Sequence, residues 1–233
     1  MADVKQERAY SSPLRQGQAA ATRRAVLTAA RDLFVEQGYG ATTVDQIAAR
    51  AGVSKPTVFT AVGNKQTVLS AVRDVAMAGD DEALAVRERP LAQEIIGEPD
   101  QQRAVQLLGE LVTGISRRYA DIHQVLSGAV GSGEPGLREL WETSETQRLT
   151  GARLWVNALS SKGGLREGVD VDTAADILWL YMAPDHYHRL VHERGWSPER
   201  FQQWLVETLS RHLLPEPPDR PAGPAGTAGN VVP

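Results

Sequence analysis

The sequence contains no cysteine among its 233 residues. This absence excludes a disulfide framework, a cysteine-ligated zinc or iron–sulfur site, and a cysteine nucleophile. Long apolar runs are also absent, whereas a membrane-spanning helix needs roughly 20 consecutive apolar residues. The first residues, MADVKQERAYSSPLRQGQ, lack the apolar stretch of a secretory signal. We therefore expect a soluble protein that is located in the cytoplasm and has no membrane partner.

The sequence also lacks the short motifs that mark common enzyme active sites. It has no Gly-rich phosphate-binding loop, no G-x-S-x-G nucleophile elbow, and no repeated Glu-x-x-His motif of the di-iron kind. An all-α enzyme therefore stays open only as an alternative that detectable turnover or a stoichiometric metal would support. We expect no catalytic residue and no cofactor.

The charge of the chain is unevenly distributed. Its formal net charge is −4, which by itself argues against a nucleic-acid binder. However, residues 1–78 carry 10 Lys and Arg against 6 Asp and Glu, and residues 79–233 carry 15 against 23. A basic segment attached to an acidic body is typical of a protein whose one end meets phosphate.

The apolar residues recur with a helical period, and no strand alternation bounded by hairpin turns is present. The N-terminal part is predicted to form four helices, the first over 19–37. Their start and stop signals are Gly38 after the first, Thr43 with Gln46 and then Gly52 around the second, Ser54 with Pro56 at the third, and Asn64 at the fourth. The fold class is therefore all-α.

The rest of the chain is predicted to be a larger helical bundle. It begins with an irregular acidic connection over 79–100 that contains a short helix at 91–96. Two long helices follow, one over 101–131 with a break near Ala120 and one over 136–161. The last part is a segment from Asp172 to Glu193 that Pro184 kinks or splits, and a final helix from Ser197-Pro198. The predicted domains are a flexible arm over 1–18, a helix-turn-helix DNA-binding domain over 19–66, a ligand-binding and dimerisation domain over 67–214, and a disordered tail over 215–233.

The stretch VDQIAARAGVSKPTVF, residues 44–59, has the spacing of a helix-turn-helix. Two helices that cross steeply need a small residue at the crossing, a turn residue that accepts a left-handed backbone, and an apolar residue that closes the wedge. Ala48, Gly52 and Val58 supply these in order. The second of the two helices then presents Lys55, Thr57 and Thr60 outward, where they could enter a major groove.

Residues 23–69, RRAVLTAARDLFVEQGYGATTVDQIAARAGVSKPTVFTAVGNKQTVL, resemble the DNA-binding domain of TetR-family regulators. The matching pieces are Ala29-Ala30, Leu33-Phe34, Gly38-Tyr39, Thr42-Thr43-Val44, Ile47-Ala48, Ala51-Gly52-Val53-Ser54 and Lys65. This resemblance implies a homodimer that binds a palindromic double-stranded DNA operator and releases it when a small-molecule effector enters the C-terminal domain. The resemblance also implies a repressor, because most members of the family are repressors.

The resemblance also implies which residues contact DNA. Lys55, Pro56, Thr57 and Thr60 lie where the family reads base edges, and Thr43 and Lys65 lie where it holds phosphate. The whole predicted DNA-binding set is Thr43, Ser54, Lys55, Pro56, Thr57, Phe59, Thr60 and Lys65. The alternative is structural: both lysines would be ordinary solvated residues, Phe59 would belong to the core, and Ser54 would act only as a cap.

Two positions depart from the pattern of the family. The family usually has Tyr where this chain has Phe59, and often an aromatic residue or His where it has Ala61. Phe59 can pack against sugar or a thymine methyl group but cannot donate a hydroxyl to phosphate. A helical interaction module that has lost operator binding therefore remains an alternative function.

The candidate effector-binding residues lie in the C-terminal region. Trp141, Arg148 and Trp155 are seven residues apart and share a helical face, so two aromatic plates and a cation could hold a ligand. Alternatively, the tryptophans are core and Arg148 pairs with Glu145. The other candidates are Tyr119 and His123, which are four residues apart, and Trp179.

The remaining candidates are histidines and apolar residues near Pro184. His186, His188 and His192 cluster in sequence, and the last two have a spacing that could hold a metal ion. Because histidines at this density on a surface helix usually only titrate, we assign no metal site to them. By the family resemblance, the last two helices form a four-helix interface with a second subunit; their large apolar residues are Trp179, Leu180, Leu190, Trp204 and Leu209.

Overall fold

The computed structural model describes residues 13–134 and 136–216, and these residues form helices and no strands. The helices are α1 (Pro13–Ala41), α2 (Val44–Ala51), α3 (Lys55–Ala61), α4 (Lys65–Ala78), α5 (Pro90–Gly97), α6 (Gln101–Gly131), α7 (Leu137–Gly163), α8 (Val171–Tyr181), α9 (Pro184–Tyr187) and α10 (Pro198–Leu213), with a 3-10 turn at Val86–Glu88 and a π-helical turn at His188–Glu193. The predicted all-α class is confirmed.

The predicted signals at the starts of the N-terminal helices are confirmed. Thr43 and Gln46 form a complete capping box on α2, in which the Thr43 hydroxyl accepts from the Gln46 amide. Ser54 caps α3 and Asn64 caps α4 through their side-chain oxygens. Gly52 ends α2 with φ at 68°, a backbone conformation that residues with a Cβ rarely adopt. The chain can therefore turn sharply from α2 into α3.

The first helix is longer than the sequence predicted at both ends. Gly38 leaves the helical conformation as expected, but helical residues continue to Ala41. At the other end α1 begins at Pro13, so residues 13–18 of the predicted arm are helical. Residues 15–20 are exposed and thus carry no apolar periodicity that could reveal a helix. Residues 1–12 lie outside the described part of the chain, as does most of the predicted tail, 217–233.

A first core joins helices α1–α4 to the C-terminal half of α6. Its members from the N-terminal helices are buried, among them Phe34, Ile47, Val58 and Leu69, and they pack in one cluster with Ile122, Leu126 and Leu137. Each Å² of apolar surface that is buried contributes about 25 cal/mol to the free energy of unfolding, so such side chains are the main source of stability. The unit that carries α2 and α3 therefore rests directly on α6.

A second core fills the bundle built from the other half of α6 and helices α5, α7, α8, α9 and α10. Its fully buried members include Leu108, Val156, Leu178, Phe201 and Leu205. Gly109 of α6 lies so close to the Val206 side chain of α10 that a Cβ at this position would clash. The small residue thus permits the close approach of α10 to α6.

The predicted break near Ala120 is wrong, because α6 runs uninterrupted from Gln101 to Gly131. Ala120 is fully buried and belongs to the second core, whereas its neighbours Tyr119 and Ile122 belong to the first. The apolar pattern changes at this point because the helix passes from one core to the other. A change of buried face was thus interpreted as a break.

The predicted segment from Asp172 to Glu193 is split at Pro184 and not merely kinked there. Helix α8 ends at Tyr181, and the short α9 begins at Pro184 and continues directly into the π-helical turn. The cap of α8 is Asp170, whose carboxylate accepts from the Thr173 amide, and not Asp172, which lies in the first turn. Among the described residues no helix is both long and apolar enough to cross a bilayer.

Candidate DNA-binding surface and ligand cavity

Helices α2 and α3 pack against each other in the geometry of a helix-turn-helix. Ile47 and Val58 are fully buried and Ala48 is 4% exposed, so the small residue lies at the crossing as predicted. The backbone amide of Val53 donates to the Ala48 carbonyl over 3.0 Å. This hydrogen bond fixes the turn, and α3 is held with its opposite face directed away from the core.

The outward face of α3 carries Lys55, Pro56, Phe59 and Thr60, all of which are exposed. Lys55 Nζ donates to Asp45 Oδ2 of α2 over 2.9 Å, and both side chains are exposed. Surface ion pairs of this kind contribute little. The ion pair holds Lys55 near the surface of α2 and α3. On binding DNA, the lysine can leave Asp45 and contact a base edge or a phosphate instead.

Phe59 is 47% exposed, so the alternative in which it belongs to the core is wrong. A large aromatic ring on this face can pack against sugar or a thymine methyl group. The hydroxyl of Thr60 donates to the Pro56 carbonyl over 3.0 Å, which leaves its lone pairs free to accept. Phe59 therefore adds apolar contact area to the face, and Thr60 adds a hydrogen-bond acceptor.

The Ser54 and Thr57 hydroxyls lie 2.7 Å apart, and Ser54 Oγ also accepts from the Thr57 amide. Thr57 is half-buried, whereas Ser54 is exposed. Ser54 thus caps α3, and its predicted contact with DNA stays a prediction. Thr57 shares a hydrogen bond with Ser54 at the start of α3 and is less accessible to DNA than Lys55 or Thr60.

Thr43 and Lys65 stand at the N-terminal ends of α2 and α4. A helix N-terminus attracts anions because its first amides are free and its dipole is positive there. Lys65 is half-buried: its Nζ donates to the Tyr39 carbonyl over 3.0 Å and lies 4.1 Å from the centre of the Tyr39 ring. Burial, and then the charge of Glu134, raise the pKa of Tyr39, so the phenol stays neutral beneath the lysine.

A cavity of about 620 Å³ lies between α4, α6 and α7, with residues 84–87 and the start of α9 along its border. This volume is within the usual range for small-molecule sites. Apolar side chains form much of the wall; they include Met77, Leu84, Val112, Ile115, Leu154 and Met182. Four of the candidate effector-binding residues line it, namely Tyr119, His123, Arg148 and Trp155.

The other two candidates, Trp141 and Trp179, are not among the residues that line the cavity. Trp141 packs on the His123 ring, with centroids 4.9 Å apart. Trp179 lies under the Arg148 guanidinium, whose Cζ is 4.5 Å from the ring centre, and its carbonyl accepts from Arg148 Nη1 over 3.1 Å. Both tryptophans therefore support lining residues from behind.

Arg148 combines the two alternatives that the sequence left open. Its Nη2 pairs with Glu145, and it also borders the cavity. Trp155 is only 3% exposed and belongs to the second core, yet its surface contributes to the wall. The helical face that contains these residues is therefore both core and cavity lining.

Arg73 of α4 is a functional candidate that the sequence analysis missed. It is 6% exposed and lines the cavity. Its guanidinium pairs with Asp74 over 2.7 Å and donates to Gln147 of α7, whereas its Nε has no hydrogen-bond partner among the described residues. The available signal was a charged residue on the apolar face that Leu69 and Val72 define.

The polar groups beside Arg73 are also buried. The Tyr119 hydroxyl has no hydrogen-bond partner within the described part of the chain, and burial raises the pKa of Tyr119 while the charge of Arg73 opposes this rise. His123 Nε2 lies 2.9 Å from Asp185 Oδ2, and Gln124 donates to the other carboxylate oxygen. Burial lowers the pKa of His123 in spite of Asp185. The Tyr119 hydroxyl and the Arg73 Nε are thus buried polar atoms of residues that line the cavity.

A helix-turn-helix with an exposed second helix is typical of DNA-binding transcriptional regulators. Comparison with known proteins specifies the family. Residues 26–72 match the model of bacterial regulatory proteins of the tetR family. The chain is 30% identical over 175 residues to the HTH-type transcriptional regulator YdeS of Bacillus subtilis (strain 168), an alignment that covers 73% of this chain and 79% of YdeS. The chain belongs to the TetR family of transcriptional regulators and is not an enzyme.

Solved structures of regulators share the fold. SmeT in complex with triclosan matches with a TM-score of 0.62 at 22% identity, over 91% of this chain and 99% of SmeT. NalD of Pseudomonas aeruginosa, the secondary repressor of the MexAB-OprM multidrug efflux pump, matches with a TM-score of 0.61 at 20% identity, over 84% of this chain and 98% of NalD. The likeness thus extends over the C-terminal bundle as well as the DNA-binding unit.

Proposed function

We propose that this protein is a homodimeric cytoplasmic repressor that binds a palindromic operator through α3 and releases it when a small molecule enters the cavity. The observation that carries the proposal is the position of Arg73. This residue lies in the wall of the cavity, on the helix that directly follows the helix-turn-helix. An occupant of the cavity would therefore touch the element that positions α3.

The coupling is proposed to run through α4. At its N-terminal end, α4 is attached to α1 by Lys65 and Tyr39, and in its middle it is attached to α7 by Arg73 and Gln147. A ligand that takes Gln147's place on the guanidinium would release α4 from α7. Half-sites one helical turn apart, about 34 Å, accept only one separation of the two recognition helices. A small displacement of α4 would then lower DNA affinity.

The cavity favours an apolar ligand that carries at least one hydrogen-bonding group. Its walls supply methionine, leucine, valine and isoleucine side chains, and its lining residues include Tyr119 and Arg73, whose hydroxyl and Nε are buried without a hydrogen-bond partner among the described residues. A buried polar atom left unpaired costs free energy, so a ligand that pairs with it gains affinity. The complex of SmeT with triclosan supports this class of ligand for a cavity in the same fold.

The DNA contacts are proposed to divide into two groups. Lys55, Thr60 and Phe59 on the exposed face of α3 read the bases, with Thr57 at the edge of this set. Thr43 and Lys65 hold phosphates at the ends of α2 and α4, which fixes the register of the protein on the duplex. The exposure of Lys55 and Thr60 supports the first role, and the position of Thr43 and Lys65 at helix N-termini supports the second.

A mobility-shift assay tests the DNA-binding part of the proposal. The purified protein is mixed with DNA selected from a random-sequence pool, and with its own upstream DNA, at stated salt and with specific and non-specific competitors. Retention that only the specific competitor abolishes supports an operator-binding regulator. Failure to select any sequence would instead support an interaction module that has lost operator binding.

The effector part is tested on the same complex. Small apolar compounds with one hydroxyl or amide are screened for release of the selected DNA, with triclosan as the first probe. We expect an active compound to lose at least fivefold of its effect on DNA affinity in Arg73→Met, since coupling between sites is typically about 5- to 150-fold. Arg153→Met on the exposed side of α7 is the matched control and should respond like the wild type.

A further inference from the structure

Two histidines and an aspartate meet where α6 passes the π-helical turn. One donor atom from each of Asp121, His188 and His192 lies within 4.8 Å of the other two. His192 Nδ1 is 3.0 Å from Asp121 Oδ1, and His188 Nδ1 is 3.8 Å from the same oxygen. The two imidazole rings stand edge to face, 5.3 Å apart. We refer to these three residues as the histidine cluster.

A hydrogen-bonded ion pair does not account for the whole cluster. His188 Nδ1 is buried and has no hydrogen-bond partner in residues 13–134 and 136–216, and its 3.8 Å separation from Asp121 is too long for a hydrogen bond. Buried polar atoms in folded proteins usually have a partner. A cation held between His188 Nδ1 and Asp121 Oδ1 would give this buried nitrogen the partner that it lacks.

Glu193 occupies the position of an outer partner. Its Oε1 lies 3.6 Å from Nε2 of His188, the ring nitrogen opposite to the one that faces Asp121. Histidines that bind metals usually donate the second nitrogen to a carboxylate. Glu193 stands on that side of the ring, at a distance that is too long for a hydrogen bond. All three members of the cluster are partly exposed, so an ion could enter from solvent.

The backbone explains why these residues meet. The Arg194 amide donates to the Arg189 carbonyl over 3.0 Å, five residues back, which widens the turn that carries both histidines. Such π-helical turns are rare and are often found at functional sites. None of the three residues lines the cavity, although Tyr119 and His123, two residues to either side of Asp121, do. The cluster is therefore a separate location on another face of α6.

We propose that Asp121, His188 and His192 form a binding site for a divalent transition-metal ion of the Zn²⁺ class. Two imidazole nitrogens and one carboxylate oxygen are ligands that zinc accepts, with a water molecule in the fourth position. The ion crosslinks α6 to the turn after α9. This site goes beyond the effector cavity. The spacing of His188 and His192 indicated two possible ligands, but the sequence could not indicate the third, Asp121, which lies 67 residues before His188.

Calorimetric titration of the metal-stripped, untagged full chain with Zn²⁺ tests the proposal. We expect one ion per chain for the wild type. His188→Gln, His192→Gln and Asp121→Asn should each weaken binding by at least about tenfold, since even outer-shell changes cost about 10- to 100-fold. His212→Gln is the matched control, because His212 is exposed on α10 and bonds the Thr208 carbonyl; it should keep the wild-type affinity.

Two further measurements keep the test decisive. Thermal melting in the presence of a chelator confirms that each variant is folded, and Co²⁺ is used as an optical probe whose visible absorption reports four-coordinate binding. Absorption in the wild type that disappears in the three cluster variants and persists in His212→Gln supports the site. The proposal is overturned if the folded wild type takes up no stoichiometric Zn²⁺, or if His212→Gln weakens binding as much as the cluster variants do.

Discussion

Lys55 is the residue on which the DNA-reading role of α3 can be tested most directly. It is exposed, and its only hydrogen-bond partner among the described residues is Asp45. We expect Lys55→Ala to cost about 1–3 kcal/mol in binding to the selected operator and to relax specificity at one base position. Lys162→Ala removes the same charge from α7 and serves as the control. Equal operator affinity of Lys55→Ala and the wild type in the mobility-shift assay would contradict the assignment.

Lys65 should behave differently from Lys55, because a phosphate contact carries no sequence information. We expect Lys65→Ala to weaken binding to all sequences alike and to reduce the slope of log affinity against log salt by about one. The lysine also holds the Tyr39 carbonyl, so the melting temperature of the variant must be measured first. A change in sequence preference without a change in salt dependence would argue against phosphate binding.

His123 makes stability depend on pH in the mildly acidic range. Burial lowers its pKa, so the unfolded chain binds a proton more readily than the folded chain does. Stability from this residue is present above the unfolded pKa of about 6.5 and decreases as the pH falls below it. We expect the melting temperature to decrease between pH 7.5 and pH 5.5, and His123→Gln to reduce that decrease. Burial also lowers the pKa of His186, so part of the slope should remain.

At the scale of elements, α4 and α7 are connected by a buried charge. Arg73 is nearly inaccessible and donates to Gln147. Removing one partner of a buried charge leaves an unpaired group, whereas replacing the charge itself by an apolar residue of similar size is often nearly neutral. We therefore expect Gln147→Ala to reduce the free energy of unfolding by about 1–3 kcal/mol, and Arg73→Met to reduce it by less. If chemical denaturation instead shows a larger loss for Arg73→Met than for Gln147→Ala, the hydrogen bond from Gln147 contributes little to the stability of the buried arginine.

The helices differed in how much the sequence could predict. Caps are local, so Thr43, Ser54 and Asn64 marked the starts of α2, α3 and α4 correctly. Packing is not local: α6 was predicted to break near Ala120 because its apolar face changes where it moves from the second core to the first. The start of α1 was missed for the opposite reason, since its first turns are exposed and have no apolar face.

The candidate sites followed the same division. The helix-turn-helix was predictable because its spacing is contained in 16 consecutive residues. The cavity was predicted in part: Tyr119, His123, Arg148 and Trp155 line it. Arg73 was missed, because its place on the apolar face of α4 was not weighed and α4 was grouped with the N-terminal helices. The histidine cluster was recognised only in part: the spacing of His188 and His192 was noted but no metal site was assigned, since Asp121 lies on α6. Residues that meet through topology leave no pattern in the sequence.

On the scale of the whole molecule, α6 connects the two cores, because it contributes buried residues to both. Leu126 lies in the core shared with the helix-turn-helix, and Leu108 lies in the core of the bundle; both are fully buried. Leu126→Ala and Leu108→Ala should each reduce the free energy of unfolding by about 2–5 kcal/mol. We expect one common unfolding transition in both variants by circular dichroism and tryptophan fluorescence. Two separated transitions in either variant would show that the cores unfold independently.

The proposed dimer interface of α8 and α10 gives the last prediction. By the resemblance this interface contains Leu209, but Leu209 is fully buried within its own chain, whereas Leu180 of α8 is 50% exposed. The sequence neighbours of Leu180, Trp179 and Tyr181, are half-buried aromatic residues. An exposed large apolar residue in such surroundings is suited to a subunit contact. We expect Leu180→Glu to be monomeric in sedimentation equilibrium and to lose operator binding, because a palindrome requires two recognition helices. Val35→Glu places the same charge at an exposed apolar site on α1 (42%) and should remain dimeric. If Leu180→Glu is dimeric as well, the two chains associate through another surface.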